Sequence, residues 1–278
     1  MNAKCVKQKL TQFRISKRAL AIPMTFLMLF FSLFAIISVT YYFAVSKVNA
    51  NSQVLNVSTA KQNMNVLEQT LDYVIWHAGS SKSCEVNDCG GTLKTVPSSN
   101  LLTINVTNGV FSEVIFNSSI GGVIYELPFS QTSDTGLYLK GTSQVVENKS
   151  GAVVAQLYIE QGDERPEILL RYRPIVSSVT GGTENNKPVT NVRIYVVNLN
   201  SSQNIQLMGK IPIIASCEST EILVNNYDLA YSSNSLTVHV SLDERNGEVS
   251  VPISSNANGA IINLELVISN TKLERGLR

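Results

Sequence analysis

From Ala19 to Val45 the chain reads ALAIPMTFLMLFFSLFAIISVTYYFAV, 27 consecutive residues without a charge. At about 1.5 Å per residue, a helix of that length reaches roughly 40 Å, more than the roughly 30 Å hydrocarbon core of a bilayer. A removable secretory signal has an apolar region of only about 7–15 residues, closed by a small-x-small site. The run therefore predicts a retained membrane helix over 20–48. Its flanks orient it, because cations stay on the cytoplasmic side. Residues 1–18 carry Lys4, Lys7, Lys9, Arg14, Lys17 and Arg18 and no acid, whereas only Lys47 and Lys61 follow soon after the run. The remainder of the chain is expected outside, with Tyr41 and Tyr42 suited to the outer interface. The near-neutral total of +1 hides this segregation: the leader alone is +6, leaving −5 for the rest.

Beyond the span the period becomes amphipathic. Val57, Ala60, Met64, Leu67, Leu71, Val74 and Ala78 recur at alternating steps of three and four, one apolar stripe of a helix. Neither Pro nor Gly interrupts the chain between Pro23 and Gly79. One continuous helix is predicted, with an apolar part over 20–48 and an amphipathic stem over 49–79 that Gly79 ends. The stripe is expected to bury against its own protein.

Lys17-Arg18-Ala19, followed at once by Leu20-Ala21-Ile22 and the long apolar run, resembles the class III signal peptide of archaeal pilins, archaellins and other type IV pilin-like proteins. The resemblance covers residues 14–79. It implies that a prepilin-type peptidase cuts after Ala19, making residues 1–19 a cleaved basic leader and Leu20 the mature N-terminus. It further implies that the apolar segment, held in membrane lipid at first, packs against identical or related pilin-like subunits in a surface filament or pseudopilus. Bacterial pilins carry Glu at the fifth mature position, where this chain has Met24; the first acid anywhere is Glu68. That departure points away from bacterial major pilins and is compatible with the archaeal group, many members of which also lack this Glu. The alternative is a permanently anchored single-pass surface protein whose outer domain binds a cell-envelope layer, a glycan or a protein partner.

After residue 100 the period changes to two. Leu102, Ile104 and Val106 alternate with polar residues, as do Val153, Ala155, Leu157 and Ile159, then Ile168, Leu170 and Tyr172, then Val192, Ile194 and Val196. Leu236, Val238, Val240 and Leu242 follow, with a turn expected at Arg245-Asn246-Gly247, then Val249, Val251 and Ile253, whose Pro252 suggests an edge strand. Ile262, Leu264, Leu266 and Ile268 close the series. Clean alternation is the mark of antiparallel sheets with one solvated face. The fold class is thus α+β: one long N-terminal helix, half transmembrane and half amphipathic, joined to an all-β antiparallel sandwich of about ten strands over 101–270. Residues 80–100 are expected as a loop and 271–278 as a frayed tail.

Candidate chemistry is sparse. Outside a membrane, Cys84 and Cys89 in SCEVNDCGG favour a disulfide closing a small loop, and Cys217 is left as a buried small hydrophobe. A metal site recruiting His77, Cys84, Cys89 and Cys217 is the weaker reading of the same residues. His239 falls on the polar face of its strand, and His77 at the stem's end could reach the last carbonyls. Asp163, Glu164 and Glu167 surround a predicted hairpin tip, a cation site being the lesser alternative. No P-loop, GxGxxG or HExxH is present. These absences argue against an enzyme, the charge against a nucleic-acid partner, and no cofactor is expected. Asn56, Asn105, Asn117, Asn148 and Asn200 begin N-x-[ST] and are glycosylation candidates. With 26 Asn in a Ser- and Thr-rich chain, their number carries no weight by itself.

Overall fold

The computed structural model describes residues 17–128, 134–148 and 153–276. Two compact units are present, one ending at Ser52 and one starting at Gln53. A single helix, α1 (Lys17–Val74), supplies all the described structure of the first unit and the opening of the second. An unbroken run of residues that tolerate helical backbone explains its length; Pro23 is the sole breaker inside it.

In the second unit the stem half of α1 lies in the core. Val57, Ala60, Met64, Leu67, Leu71 and Val74 are all buried, as the stripe requires. The helix stops at Val74, short of the expected Gly79, and Ala78 is exposed. The reason is a turn: the His77 amide donates to the Val74 carbonyl at 2.9 Å, and Gly79, at φ +81°, donates to the Cys217 carbonyl at 2.8 Å. Gly79 thus directs the chain into a sheet after the helix has ended.

Three sheets follow among the described residues. The first has the order β1 (Ser81–Val86), β12 (Ile211–Leu229), β15 (Ala260–Arg275), β10 (Lys187–Asn198), β9 (Ile175–Glu184). The second runs β11 (Gln206–Met208), β2 (Thr92–Val96), β5 (Gly122–Glu126), β8 (Pro166–Tyr172), β7 (Ala155–Gln161), β6 (Tyr138–Lys140). The third runs β14 (Arg245–Pro252), β13 (Ser235–Leu242), β3 (Leu101–Thr107), β4 (Ser112–Ser119). Pro252 lies on the edge strand β14, as expected.

Two cores result, and the long strands β12 and β15 contribute to both. In one, the stem packs with Val123, Tyr125, Leu157, Ile159, Ile168, Leu170 and Tyr172 of the second sheet and with Ile213, Ala215, Cys217 and Leu273 of the first. In the other, Val192, Ile194, Val196, Ile262, Leu264, Leu266 and Ile268 of the first sheet share a cluster with Leu102, Ile104, Val106, Leu236, Val238, Val240 and Leu242 of the third, a sandwich. Fully burying a side chain of this size contributes about 1.5–3 kcal/mol.

Several expectations are corrected. Among the described residues thirteen strands, β3–β15, begin within 101–270, where about ten were expected. The stretch 80–100 holds β1 and β2, because β1 completes its hydrogen bonds along the first half of β12. The expected frayed tail is strand as far as Arg275: Leu273 is buried, and its amide donates to Ser202 Oγ at 3.1 Å. Residues 277–278 lie outside the described residues. The β13–β14 turn falls at Asp243 and Glu244, before Arg245-Asn246-Gly247, because Asp243 takes φ +54° and its Oδ1 accepts from the Leu101 amide at 2.9 Å. The antiparallel expectation holds apart from β10 and β15, which pair in parallel over ten residues. Gly259 opens β15 at φ +114°, where a Cβ would lie 1.8 Å from the Leu229 carbonyl oxygen.

Candidate functional site: an exposed apolar helix and a docked stem

Phe26, Phe30, Phe31, Phe34, Ile36, Tyr41 and Tyr42 are each more than half exposed, and so are most of the other large side chains from Met24 to Leu55. Among the described residues nothing covers any face of this segment. It is long and apolar enough to cross a membrane. Ser32 and Ser38 donate to the Leu29 and Phe34 carbonyls at 2.8 Å, so both hydroxyls are satisfied within the helix. Arg18, Ala19 and Leu20 lie within α1. Residues 1–16, with Cys5 and the other four leader cations, fall outside the described residues.

The stem is tied to the β-rich unit by polar contacts as well. Lys61 pairs with Asp134 at 2.6 Å, and Asn63 donates to the Asn87 carbonyl at 2.8 Å. Glu68 is 1% exposed: one carboxylate oxygen meets Lys140 Nζ at 2.5 Å and the other has no partner among the described residues. Burial outweighs Lys140 and holds this carboxyl above the ordinary range. The Tyr172 hydroxyl in the same core is also unpartnered, and burial followed by the Glu68 charge pushes it well up. Nothing in the sequence pattern marks Glu68 as buried except its position next to Leu67 at the edge of the stripe.

The predicted Cys84–Cys89 disulfide is not formed; both thiols and Cys217 are free. Cys89 is buried, with its sulfur 2.8 Å from Tyr125 Oη and 3.7 Å from Asn63 Nδ2, whereas Cys84 sits within β1. Strand formation by residues 81–86 places the two cysteines in separate surroundings. Burial raises both thiols, so neither is a ready thiolate. Cys217 occupies the core as expected, 3.4 Å from the Ile75 carbonyl.

His77 Nδ1 lies 3.1 Å from the Tyr73 carbonyl, the end-of-helix contact foreseen for it. His239 is on the solvated face of β13, 3.1 Å from Glu248 of β14. It borders a shallow hollow of about 370 Å³ with Thr103, Asn105 and Ser241. Asp163 and Glu164 occupy the β7–β8 turn, while Glu167 stands in β8 between Glu160 and Glu126 of the neighbouring strands. Burial first, then the Glu126 charge, raises the Glu167 carboxyl. Among the described residues no group of three His, Cys, Asp or Glu side chains is placed to hold a metal.

Of the sequons, Asn117 and Asn200 are exposed and Asn56, Asn105 and Asn148 half-buried. The Asn105 amide donates to Ser112 Oγ at 3.0 Å and that of Asn200 to the Ser119 carbonyl at 3.3 Å, while Asn148 reaches the Ser250 carbonyl at 3.4 Å. Asn56 is inside α1. No protein-family model, curated protein or solved structure matches the chain.

Proposed function

We propose that this protein is a membrane-anchored, pilin-like structural subunit, with its N-terminus cytoplasmic and its β-rich domain outside, that assembles through its N-terminal helix into a surface filament or pseudopilus. The observation that carries the reading is a helix apolar on every side, preceded directly by Lys17-Arg18-Ala19 and continuing unbroken into a stem buried in the head. Such a segment needs an apolar surrounding: lipid before assembly, the same segments of other subunits after it. Burying it in either removes the exposed phenylalanines, leucines and isoleucines from water at about 25 cal/mol per Å².

Pro23 supports cleavage after Ala19. Within α1 the helical residues 17–22 precede it, so its missing N–H forfeits a bond and its ring crowds the preceding turn. Starting the chain at Leu20 makes it the fourth, and the first four amides of any helix have no intrahelical partner. Processing thereby removes the penalty.

The role is structural rather than enzymatic. His239 has an acidic neighbour, but no hydroxyl or thiol bonds to its other ring nitrogen among the described residues. Replacing Arg18 and Ala19 together tests the proposal. The variant should keep its leader and be missing from sheared surface filaments, whereas the parent protein is processed and present. A variant processed like the parent contradicts the reading.

A further inference from the structure

Two arginines stand two residues apart, Arg171 on β8 and Arg173 just past its end, and Arg171 lies on the sheet face turned away from the stem. Arg173, 2% exposed, is fully used. Its Nη1 lies 2.8 Å from Glu147 Oε1 and also donates to Thr142 Oγ1 and the Gln144 carbonyl, while Nε and Nη2 donate to the Val153 carbonyl. Arg171, 5% exposed, is not. Only its Nε is bonded, to Gln156 Oε1 at 2.8 Å; Nη2 has no partner and no carboxylate lies within ion-pair distance among the described residues. Gln156 can offer nothing more, since its amide nitrogen already donates to the Thr142 and Gln144 carbonyls. A buried charged donor left unpaired is costly, and such a group calls for a water, an ion or a ligand as its partner.

Arg171 lines a cavity of about 420 Å³, inside the usual size range of small-ligand sites. The Tyr158 ring forms part of its wall, with the Arg171 guanidinium 5.1 Å and the Arg245 guanidinium 5.6 Å from the ring centre. Arg245 is weakly neutralised: its nearest carboxylate, Glu160, is 3.9 Å away. Burial pushes the Tyr158 hydroxyl up to about 12, so the phenol is neutral and supplies no competing anion. Around the same cavity stand Glu160, Asp243 and Glu244. These three carboxylates outnumber the two guanidiniums, so they disfavour a doubly charged anion more strongly than a singly charged one, and they accept hydrogen bonds from hydroxyl groups. One oxyanion on the arginines and several hydroxyl donors facing the acids describe a singly charged sugar.

The geometry points to a binding site for a carboxylated saccharide of the uronic-acid type, its carboxylate on Arg171 and Arg245 and its hydroxyls on Asp243, Glu244 and Glu160. The site belongs to the head and does not depend on the filament reading. Arg171 was not singled out by the sequence, although the two charges at i and i+2 in LLRYRPIV, Arg171 and Arg173, in an otherwise apolar run are a visible signal, and Arg245 was read only as part of a turn.

Ligand-observed NMR titration of the full chain in lipid nanodiscs tests the assignment with three probes: glucuronate, glucose and inorganic phosphate. Glucuronate should saturate with a dissociation constant of roughly 1 mM or below, glucose should bind at least tenfold more weakly, and phosphate should not saturate. Arg171→Gln should abolish glucuronate binding. Because that side chain is buried, Arg245→Gln, 44% exposed at the side chain, decides the matter if the first variant fails to fold. It should weaken glucuronate at least threefold with the melting temperature unchanged. Equal binding of glucose and glucuronate, preference for phosphate, no binding at all, or glucuronate affinity unaltered by Arg245→Gln would each overturn the assignment.

Discussion

Replacing Leu67 by Ala asks whether the stem is part of the head's core or a helix that merely lies beside it. Leu67 is fully buried in the cluster that joins the stem to Leu157, Ile159, Leu170 and Tyr172. The substitution removes three carbons at about 0.8 kcal/mol each. The unfilled space adds a cavity penalty, which brings the loss to about 3–5 kcal/mol. Leu55→Ala, on the same helix but at a residue 66% exposed, should change stability by no more than about 0.5 kcal/mol. Urea unfolding of the full chain in detergent micelles can be followed by the single tryptophan, Trp76, whose ring meets Tyr195 edge-on at 5.4 Å. With a slope of about 2–3 kcal/mol per M, the Leu67→Ala midpoint should fall by about 1–2.5 M. A loss below about 1 kcal/mol, indistinguishable from Leu55→Ala, would refute the packing argument.

Glu68 binds its proton more tightly folded than unfolded, so its contribution is most favourable below the unfolded carboxyl pKa and is lost as pH rises through the folded one. Glu68→Gln should therefore be more stable than the parent at pH 7, with the gain vanishing near pH 4; the reverse trend in denaturant midpoints contradicts this. Glu147→Gln leaves Arg173 buried without its counter-charge and should cost about 3–5 kcal/mol, read as a lowered denaturant midpoint. Gly259→Ala combines a strained positive φ with a collision on the Leu229 carbonyl, and should lose on the order of 3 kcal/mol by the same measurement. Alkylation of the denatured, unreduced protein should mark both Cys84 and Cys89 in peptide mass spectra, whereas protected thiols there would restore the disulfide.

Burial patterns with a local cause were legible. The alternation at Leu236, Val238, Val240 and Leu242 and the three-four stripe from Val57 to Val74 both report one face against a core, and both are buried as read. What escaped was set by distant partners. β1 is a strand because the first half of β12, more than a hundred residues later, offers it a free edge. The parallel pairing of β10 with β15 brings together segments about seventy residues apart, and no short pattern encodes it. The same holds for the cysteines: their spacing suited a loop, and the strand through Cys84 removed the loop. Along β8 and the residue after it, period-two reading assigns Arg171 and Arg173 to a solvated face. The neighbouring segment 142–148 and the β13–β14 turn cover that face, which turns an expected surface into a buried one.

The central claim concerns the N-terminal helix, and the most direct measurement is the N-terminal sequence of the protein recovered in the sheared surface fraction. The account predicts chains that begin at Leu20. Chains that retain residues 1–19 and stay entirely with the membrane would contradict it.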